Sequence, residues 1–246
     1  MSRVTARSIV LQTFPYSDTS KILRLYCREY GLQSVIAKGA LRPRSRFGGI
    51  LEPFTEGDAS FFLKESRDLH TLSGFDLVRS RQSLGRSLAA FSGASVMAEL
   101  VLRCTTPEPQ PALFDSFRDS LDTVAAAPPE LAAPTALGGI WLIVLLLGFR
   151  PQLEECVGCG RALRAEEPVR FDVEAGGVAC TGCRPVGRLI DPASRAELMD
   201  LLRKENQAVA LTDPSLQLAL LSAYIEAHLS LDRPLRSLEL FVTESR

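Results

Sequence analysis

The chain has 246 residues, enough for one large domain or two to three small ones, and 46% of them are hydrophobic, which excludes a disordered chain. The formal net charge is −1, so total charge alone argues against a polyanionic partner. Met1 to Thr5 lacks the apolar stretch of a secretory signal, and the longest apolar run, Ile140 to Leu147, is far shorter than the roughly 20 residues that a bilayer requires. The sequence therefore predicts a cytoplasmic protein without a membrane span.

Charge is distributed unevenly along the chain. Residues 1–81 carry 13 basic and 8 acidic side chains, whereas residues 82–246 carry 15 basic and 21 acidic ones. Within the first 50 residues the count is 9 basic against 2 acidic. The N-terminal region can therefore attract a polyanion even though the chain as a whole is nearly neutral.

The first 80 residues have the composition of short β-strands. Five runs are rich in β-branched and aromatic residues, with turn residues at Pro15–Asp18 and a tight break at Tyr30–Gly31. Five strands in this length suggest a small closed barrel, and an OB-type barrel is the common form that binds oligonucleotides. Strand count alone leaves another small barrel equally open. The predicted strands are Ser8–Phe14, Lys21–Arg28, Leu32–Lys38, Ala59–Lys64 and Leu69–Phe75, the last two separated by Glu65–Asp68.

From Ser83 the apolar spacing becomes helical. A third helical segment, from about Thr135 to Leu147, is apolar nearly all round, which predicts a helix buried at the centre of a bundle. The first two helices are indicated by Leu84, Leu88, Phe91, Ser95 to Val96 and Leu100, and by Leu113 or Phe114, Phe117, Leu121 and Val124.

Two further helices are predicted near the C-terminus. Asp191–Pro192 and Asp213–Pro214 each place a capping carboxylate ahead of a proline suited to the first helical position. The first of these helices carries Leu198, Leu201 and Leu202 on one face, and the second carries Leu216, Leu220, Tyr224 and either Leu229 or Leu231. We expect the helices before and after residues 153–186 to pack into one bundle.

Four of the six cysteines form two tight pairs. Cys156 and Cys159, and then Cys180 and Cys183, are separated by 20 residues, the spacing of a four-cysteine zinc site. Each pair has two intervening residues, so both sulfurs can turn toward one ion, and the glycines at 158, 160 and 182 ease the tight folding of the backbone. Four thiolates leave no position for an activated water, so the predicted zinc is structural.

The alternatives are that these cysteines bind no metal, or that they bind iron. Between the pairs, Val169 to Val173 alternates as a strand and Gly176–Gly177 supplies a turn, which predicts a metal-bound hairpin. Cys27 and Cys104 have no cysteine nearby and are interpreted as buried apolar residues.

A basic loop is predicted between the third and fourth strands. Its cations are Lys38, Arg42, Arg44 and Arg46, and no acid lies among them. Guanidinium groups bind phosphate oxygens in a bidentate manner, and the neighbouring glycines allow a backbone to approach closely. A solvated charged loop is the alternative, and the OB-type barrel favours nucleic acid. Further cations that could extend the patch are Arg3, Arg7, Arg24 and Arg28.

Nine of the seventeen aromatic residues also fall within residues 1–81. Some of them could offer surfaces on which exposed bases stack, although most belong in the core. Phe61 and Phe75 are assigned to the core. The stacking candidates are Tyr16, Tyr26, Tyr30, Phe47 and Phe54.

Recognisable catalytic signatures are missing from the sequence. The two histidines, His70 and His228, have no acid or nucleophile at a familiar spacing, and there is no phosphate loop of the Walker type. A protein without enzymatic activity is therefore expected. A zinc-dependent hydrolase or deaminase is disfavoured by the closed four-thiolate site and by the missing acid–base partner.

Short motifs along almost the whole chain resemble, in order and spacing, the RecO family of bacterial DNA repair proteins. No single motif is decisive, but their joint order is highly specific. The motifs are Lys38–Ala40, Ser45–Phe47, Leu51–Phe54, Glu99–Leu100, Leu113–Phe114, Leu146–Pro151, Cys156–Gly160, Gly176–Cys180 and Arg233–Leu238.

This resemblance implies an N-terminal OB-fold, a helical domain and a zinc-binding insert that some members have lost. It also implies a recombination mediator that binds single- and double-stranded DNA, anneals complementary strands and acts with RecR to load RecA onto DNA coated by single-strand-binding protein, with a functional link to RecF. Such a protein would be cytoplasmic and nucleoid-associated. The family further implies an apolar pocket of the helical domain for the acidic, phenylalanine-ending tail of single-strand-binding protein, whose residues the sequence does not identify.

The resulting fold class is a multidomain α+β protein. The expected parts are an OB-type barrel at 1–81, a helical domain at 82–152 and 187–246, and a zinc-binding insert at 153–186. The alternative function is a protein–protein adaptor whose basic loop docks an acidic partner, with only incidental DNA binding.

Overall fold

The structure, a computed structural model, describes residues 2–63, 67–183, 186–203, 211–229 and 231–245. By packing, the chain forms two compact units: residues 1–83 with 101–122, called the barrel unit, and residues 84–100 with 123–246, called the helical unit. The boundaries at residues 100–101 and 122–123 both fall inside helices. Each unit therefore combines segments that are separated in the sequence. The domain boundaries expected from sequence stay predictions.

Five strands form the barrel unit's sheet, and all five were predicted from sequence. They close in the order β1-β2-β3-β5-β4, with β1 antiparallel to both β2 and β4 and with β3 parallel to β5. This closed, five-stranded OB-like barrel confirms the expected N-terminal fold. The strands are β1 Ser2–Pro15, β2 Lys21–Cys27, β3 Gly31–Ala37, β4 Glu56–Leu63 and β5 Leu69–Arg79. Lys64, predicted to end the fourth strand, and Glu65–Ser66 of the following turn lie outside the described residues.

The barrel interior is filled by alternate residues of every strand, because successive strand side chains point to opposite faces. Val10, Leu25, Val35 and Phe61 are all fully buried there. The predicted break at Gly31 has a steric basis. This residue has φ of 61°, and a Cβ atom would collide with the carbonyl oxygen of Pro107.

Part of the helical sequence packs with the barrel. Helix α2 spans Pro111–Ala126, and its buried Phe114 contacts the buried Tyr26 ring of β2, with centroids 5.6 Å apart. Arg28 Nη2 lies 2.9 Å from Asp115 Oδ2, and its Nε also donates to this carboxylate. Aromatic burial and an ion pair therefore join α2 to the outside of β2.

The helical unit is built around α3, Ala132–Leu146, as its apolar sequence predicted. Eleven of its residues are buried, including Trp141 and Ile143. The other helices are α1 Leu88–Cys104, which begins in this unit, α4 Pro192–Arg203, α5 Pro214–His228 and α6 Arg236–Glu244; short 3-10 helices lie at Gln82–Arg86 and Pro129–Leu131.

Both predicted aspartate caps are present. The Asp191 Oδ1 atom accepts from the Ser194 N–H at 2.7 Å, and Asp213 Oδ1 accepts from Leu216 N–H at 2.9 Å. Asp191 has a lowered pKa, chiefly because the Ser194 backbone N–H stabilises its carboxylate. The Asp–Pro pairs therefore begin α4 and α5 as expected.

The face expected for α1 is partly wrong, because Leu88 and Phe91 are exposed. Close packing uses small residues instead, since Gly93 lies directly against Ala136 of α3. Helix α6 was not predicted from sequence. Its N-terminus is held by Glu99 Oε2, which accepts a hydrogen bond from the Ser237 backbone N–H at 3.0 Å.

One segment passes a composition test for crossing a membrane. Pro129–Leu146 is long and apolar enough, with a mean hydropathy of 1.6, but 56% of it is buried inside the protein. A buried core helix meets the same criterion, so this segment is weak support for a membrane span.

Candidate metal centre and nucleic-acid interface

The cysteine insert contains a three-stranded sheet in the order β7-β6-β8. Its strands are β6 Val169–Asp172, β7 Gly177–Cys180 and β8 Arg188–Ile190, and the predicted turn at Gly176–Gly177 joins β6 to β7. Cys180 ends β7, whereas Cys156 lies in a separate turn in which the Gly160 N–H donates to the Cys156 carbonyl at 2.8 Å. The hairpin thereby presents one pair of sulfurs to the other.

The four cysteine sulfurs lie within 4.8 Å of one another and can hold a metal ion. Zinc–sulfur bonds of about 2.3 Å in a tetrahedron would place the sulfurs roughly 3.8 Å apart, so a small contraction would complete a four-thiolate shell. Cys156 and Cys180 are buried, and Cys159 and Cys183 are exposed. The ion would lie at the edge of the module with its inner half shielded from water.

Backbone N–H groups are already directed at one sulfur. The Cys156 Sγ atom accepts from Cys180 N at 3.2 Å and from Gly158 N at 3.4 Å. Burial opposes ionisation of this thiol, but the N–H groups of Cys180, Gly158 and Cys159 outweigh it and lower the Cys156 pKa to about 6. A thiolate is the form that binds metal, so this environment suits a ligand.

The insert has little apolar core of its own, as expected for its size. Its buried cluster consists of Cys156, Ala179 and Cys180, with Val157 and Leu163 packed against it. Gly158, Gly160 and Gly182 were expected from the sequence to ease tight backbone folding. Among the described residues with positive φ, this set is represented by Gly160, whose φ is 70°.

The hairpin is fastened to the helical unit by contacts that do not involve the cysteines. Phe171 is fully buried and lies 6.0 Å from the Tyr224 ring of α5, and His228 Nε2 is 2.6 Å from the Val173 carbonyl oxygen. The buried Arg195 donates to the carbonyls of Leu153 at 2.9 Å and Arg164 at 2.8 Å. The strands therefore have an anchor that is independent of metal.

The remaining two cysteines differ from each other. Cys27 is fully buried, and burial raises its pKa to about 12, which confirms its assignment as a core residue. Cys104 is only partly buried, because it lies in the last turn of α1. Its assignment as a buried residue was therefore wrong.

The basic loop lies between β3 and β4 and is a succession of tight turns. Ser45 N donates to the Arg42 carbonyl at 3.0 Å, and Gly48 N donates to the Ser45 carbonyl at 3.1 Å. Phe47 and Leu51 insert into the barrel core and are almost completely buried. These two side chains hold the loop on the barrel, while Gly48 and Gly49 between them are exposed.

The cations predicted to bind DNA fall into two groups. Lys38, Arg42, Arg44 and Arg46 are exposed, and in the described part of the chain they have no ion-pair partner. The Arg46 guanidinium lies 4.9 Å from the centroid of the Phe47 ring, which leaves its N–H groups available for another acceptor. The structure therefore brings these four cations together on one loop.

The other predicted cations are placed differently. Arg7 is ion-paired, with Nε 3.0 Å from Asp58 Oδ1 and Nη1 3.6 Å from Glu56 Oε1, so local carboxylates balance its charge. Arg3 is exposed near the start of β1, at the opposite end of this strand from the loop. Arg24 lies on the outside of β2 and donates to Ser34 Oγ at 2.8 Å. Arg24 lies opposite Ser34 in the middle of β2 and β3, so none of these three residues lies at the end of the barrel that carries the loop.

Most of the aromatic stacking candidates belong to the interior. Tyr26, Phe47 and Phe54 are buried and cannot stack on a base without unfolding, in agreement with the expectation that most of these aromatic residues belong to the core. Phe61 and Phe75 are buried, as predicted. The side chain of Tyr30 is half-buried against Phe61, whereas that of Tyr16 is 61% exposed.

Sequence reasoning missed an apolar groove of about 760 Å³ beside α5 and α6. Leu218, Ile225 and Leu238 form part of its floor, and small side chains such as Ala219 and Ala223 keep it open. Helix α6 was not predicted, so no sequence pattern identified the groove. Its rim carries Glu226, Asp232, Glu239 and Arg233.

An OB-like barrel with an exposed basic loop, joined to helices that carry a four-cysteine cluster, defines an OB-fold protein with a cysteine module that could hold a metal ion. Two family models, described as Recombination protein O N terminal and Recombination protein O C terminal, match residues 1–81 and 85–239. The chain belongs to this family, which supports a role in DNA repair and recombination.

Relatives along most of the chain agree with this assignment. The DNA repair protein RecO of Anaeromyxobacter sp. (strain K) is 34% identical over 242 residues, which cover 93% of this chain and 92% of that protein. RecO of Desulfitobacterium hafniense (strain Y51) is 32% identical over 209 residues, covering 81% and 74%. RecO of Rubrobacter xylanophilus is 34% identical over 184 residues, covering 75% and 73%.

Proposed function

We propose that this protein is a recombination mediator that binds single- and double-stranded DNA and anneals complementary strands. In this proposal it acts with RecR to load RecA onto DNA coated by single-strand-binding protein, and it is functionally linked to RecF. The observation that carries the DNA-binding part is the set of four exposed cations on the loop between β3 and β4, which have no ion-pair partner in the described ranges. Family membership supports the partners, and a cytoplasmic, nucleoid-associated location follows from them.

The protein would act by binding rather than by catalysis. The Cys156, Cys159, Cys180 and Cys183 thiolates would hold one zinc ion, whose chemistry there would be to cross-link the two ends of the insert. Four protein ligands would complete the shell and leave no place for a substrate. Zinc therefore supports the fold of the insert in this proposal.

The groove beside α5 and α6 does not have the charge expected for an acidic tail. Glu226, Asp232 and Glu239 on its rim would repel the carboxylates of such a peptide. We therefore propose single-strand-binding protein as a partner without assigning its tail to this groove.

The test of DNA binding is the combined substitution of Arg42, Arg44 and Arg46 by Ala. Each neutralised phosphate on a single strand contributes about −0.7 to the slope of log affinity against log salt. Loss of three such contacts should flatten the slope by about 2 and weaken binding roughly 100-fold at 0.1 M salt. Fluorescence anisotropy with a labelled oligonucleotide over a salt series measures both quantities.

A matched control removes the same number of charges from the helical unit, at the exposed Arg86, Arg150 and Arg236. This variant should keep the slope and nearly all of the affinity. If both triple variants bind alike, the basic loop is not the DNA site. If the unmodified chain does not bind DNA but binds an acidic protein segment, the adaptor function is correct instead.

A further inference from the structure

The outer face of the barrel carries apolar side chains in a row that crosses three strands. Phe14 of β1 lies opposite Ile22 of β2, which in turn lies opposite Ile36 of β3. Neighbouring Leu23 and Val35 are fully buried, so the row faces outward, as strand alternation requires. Phe14 is 47% exposed, and Ile22 and Ile36 are partly buried.

This row ends beside the basic loop. Tyr16 is the first residue after β1 and is 61% exposed in the turn to β2. The same turn is bonded to the loop, because Leu41 N donates to the Thr19 carbonyl at 3.0 Å. Leu41 is itself exposed and immediately precedes Arg42. Two exposed aromatic rings therefore lie at the end of β1 and in the turn that is bonded to the basic loop. The loop cations have no ion-pair partner in the described residues, and the turn itself contains one acid, Asp18.

A second row continues the surface with polar groups. Gln12, Arg24 and Ser34 lie opposite one another across β1, β2 and β3, one alternation away from the first row. Arg24 and Ser34 also line a cavity of about 500 Å³ together with Arg67 and His70. His70 is 93% buried, and its Nδ1 has no hydrogen-bond partner in the described part of the chain. The cavity therefore adds polar and cationic side chains next to the second row.

We infer that this face of the barrel is a track for single-stranded nucleic acid, in which Phe14 and Tyr16 stack on exposed bases. The inference rests on the proposed DNA binding and assigns a face and a strand preference to it. Arg42, Arg44 and Arg46 hold phosphates at one end of the track, and Arg24 holds one at the other. Paired bases in a duplex do not expose their faces, so the rings favour single strands over duplex.

Protein docking is a less suitable explanation of the same surface. A protein partner would cover apolar rings with apolar side chains, and it would then leave the adjacent arginines to be paired or desolvated. A single strand satisfies both features at once, because every nucleotide has a flat base and a charged phosphate.

The test compares a 20-nucleotide oligothymidylate with a 20-base-pair duplex, each bound by the full chain carrying Phe14→Ala and Tyr16→Ala. Stacking on one aromatic side chain contributes about 10-fold or more in affinity. Single-strand affinity should therefore fall about 10- to 100-fold, while duplex affinity changes less than about twofold and the salt slope is unchanged. Tyr16→Trp should retain binding, and the fluorescence of its exposed indole should be quenched by the oligonucleotide.

The matched control is Leu77→Ala with Val78→Ala, which removes two comparably exposed apolar side chains from the far end of β5. This control should change neither the single-strand affinity nor the duplex affinity. The inference is overturned if the aromatic double variant binds single strands normally, or if it loses duplex affinity equally. If the aromatic double variant gives either of these results while the arginine triple variant loses binding, the proposed DNA binding is supported and the stacking role of Phe14 and Tyr16 is rejected. If the unmodified chain binds no DNA, both proposals fail.

Discussion

Replacement of Arg81 by Ala is expected to destabilise the barrel unit by about 3–5 kcal/mol, the range observed when one partner of a buried ion pair is removed. The Arg81 side chain is only 1% exposed and donates three different hydrogen bonds. Its Nη2 reaches Glu56 Oε2 at 2.8 Å, its Nε reaches Asp122 Oδ1 at 2.6 Å, and its Nη1 reaches the Phe54 carbonyl at 2.9 Å. It thereby connects the start of β4 with α2.

The large effect has two physical causes. The Glu56 side chain is 5% exposed, so without Arg81 its charge would stay buried and would lose its 2.8 Å ion pair, keeping the longer 3.6 Å contact to Arg7. Phe54 also has φ of 67°, a left-handed conformation that is costly for a bulky side chain. Loss of the hydrogen bond to its carbonyl removes one contact that holds this conformation.

Arg79→Ala is the matched control, because Arg79 also bonds to Asp122, at 2.9 Å, but its side chain is 57% exposed. Exposed pairs contribute about 0–1 kcal/mol, so this variant should stay close to the unmodified protein. Hydrogen exchange of β1, β4 and β5 during denaturant titration measures the barrel directly, since the single tryptophan, Trp141, lies in the helical unit. Equal stability of the two variants would contradict the role assigned to Arg81.

A double variant separates lost pairing from lost packing. Arg81→Met with Glu56→Gln removes both charges and keeps two side chains of similar volume. It should be more stable than Arg81→Ala alone, because no uncompensated charge stays buried. A double variant as unstable as the single one would place the effect in packing or in the Phe54 conformation instead.

Features that depend on neighbouring residues could be predicted from the sequence. Strand alternation identified all five barrel strands, and the Asp–Pro pairs at 191–192 and 213–214 identified the starts of α4 and α5. The two cysteine pairs likewise converge as their spacing indicated. In each case the information lies within a few residues of the element that it defines.

Features that depend on tertiary pairing could not be predicted. The sequence does not show whether a basic residue such as Arg7 faces solvent or pairs with a carboxylate. The partners of Arg7 are Glu56 and Asp58, about fifty positions away. Phe47 lies within a run of arginines and glycines, yet it points into the barrel. Counting charged and aromatic residues therefore overestimated the number of side chains available to a nucleic acid. Burial and ion pairing leave the basic loop, Arg24 and the Phe14 and Tyr16 rings as the candidates.

Removal of metal is expected to unfold the two cysteine turns while the rest of the insert stays folded. Structural zinc binding in small peptides is worth about 10–16 kcal/mol, and the cluster around Cys156 has too few apolar residues to replace it. Chelation or Cys159→Ser should therefore abolish hydrogen-exchange protection of residues 154–164 and 181–183. Strands β6 and β7 should keep theirs, because Phe171 and Val178 are fully buried and His228 is hydrogen-bonded to the Val173 carbonyl.

Metal content and thiol reactivity together test whether the four cysteines bind zinc. Purified protein should contain about one zinc per chain, and Cys104→Ser, outside the cluster, should leave that content unchanged. With metal bound, at most Cys104 should react with a thiol reagent, since Cys27 is buried and has a raised pKa. After chelation, the four cluster thiols should react as well.

Barrel strands should be unaffected by chelation, because their core, among the residues that the structure describes, is formed by residues 4–75. Loss of protection in β6 and β7 along with the cysteine turns would mean that the helical anchor does not hold the hairpin. Zinc well below one per chain in protein purified without chelator would contradict the metal site itself. The pattern of protection therefore distinguishes a metal that shapes two turns from one on which the whole insert depends.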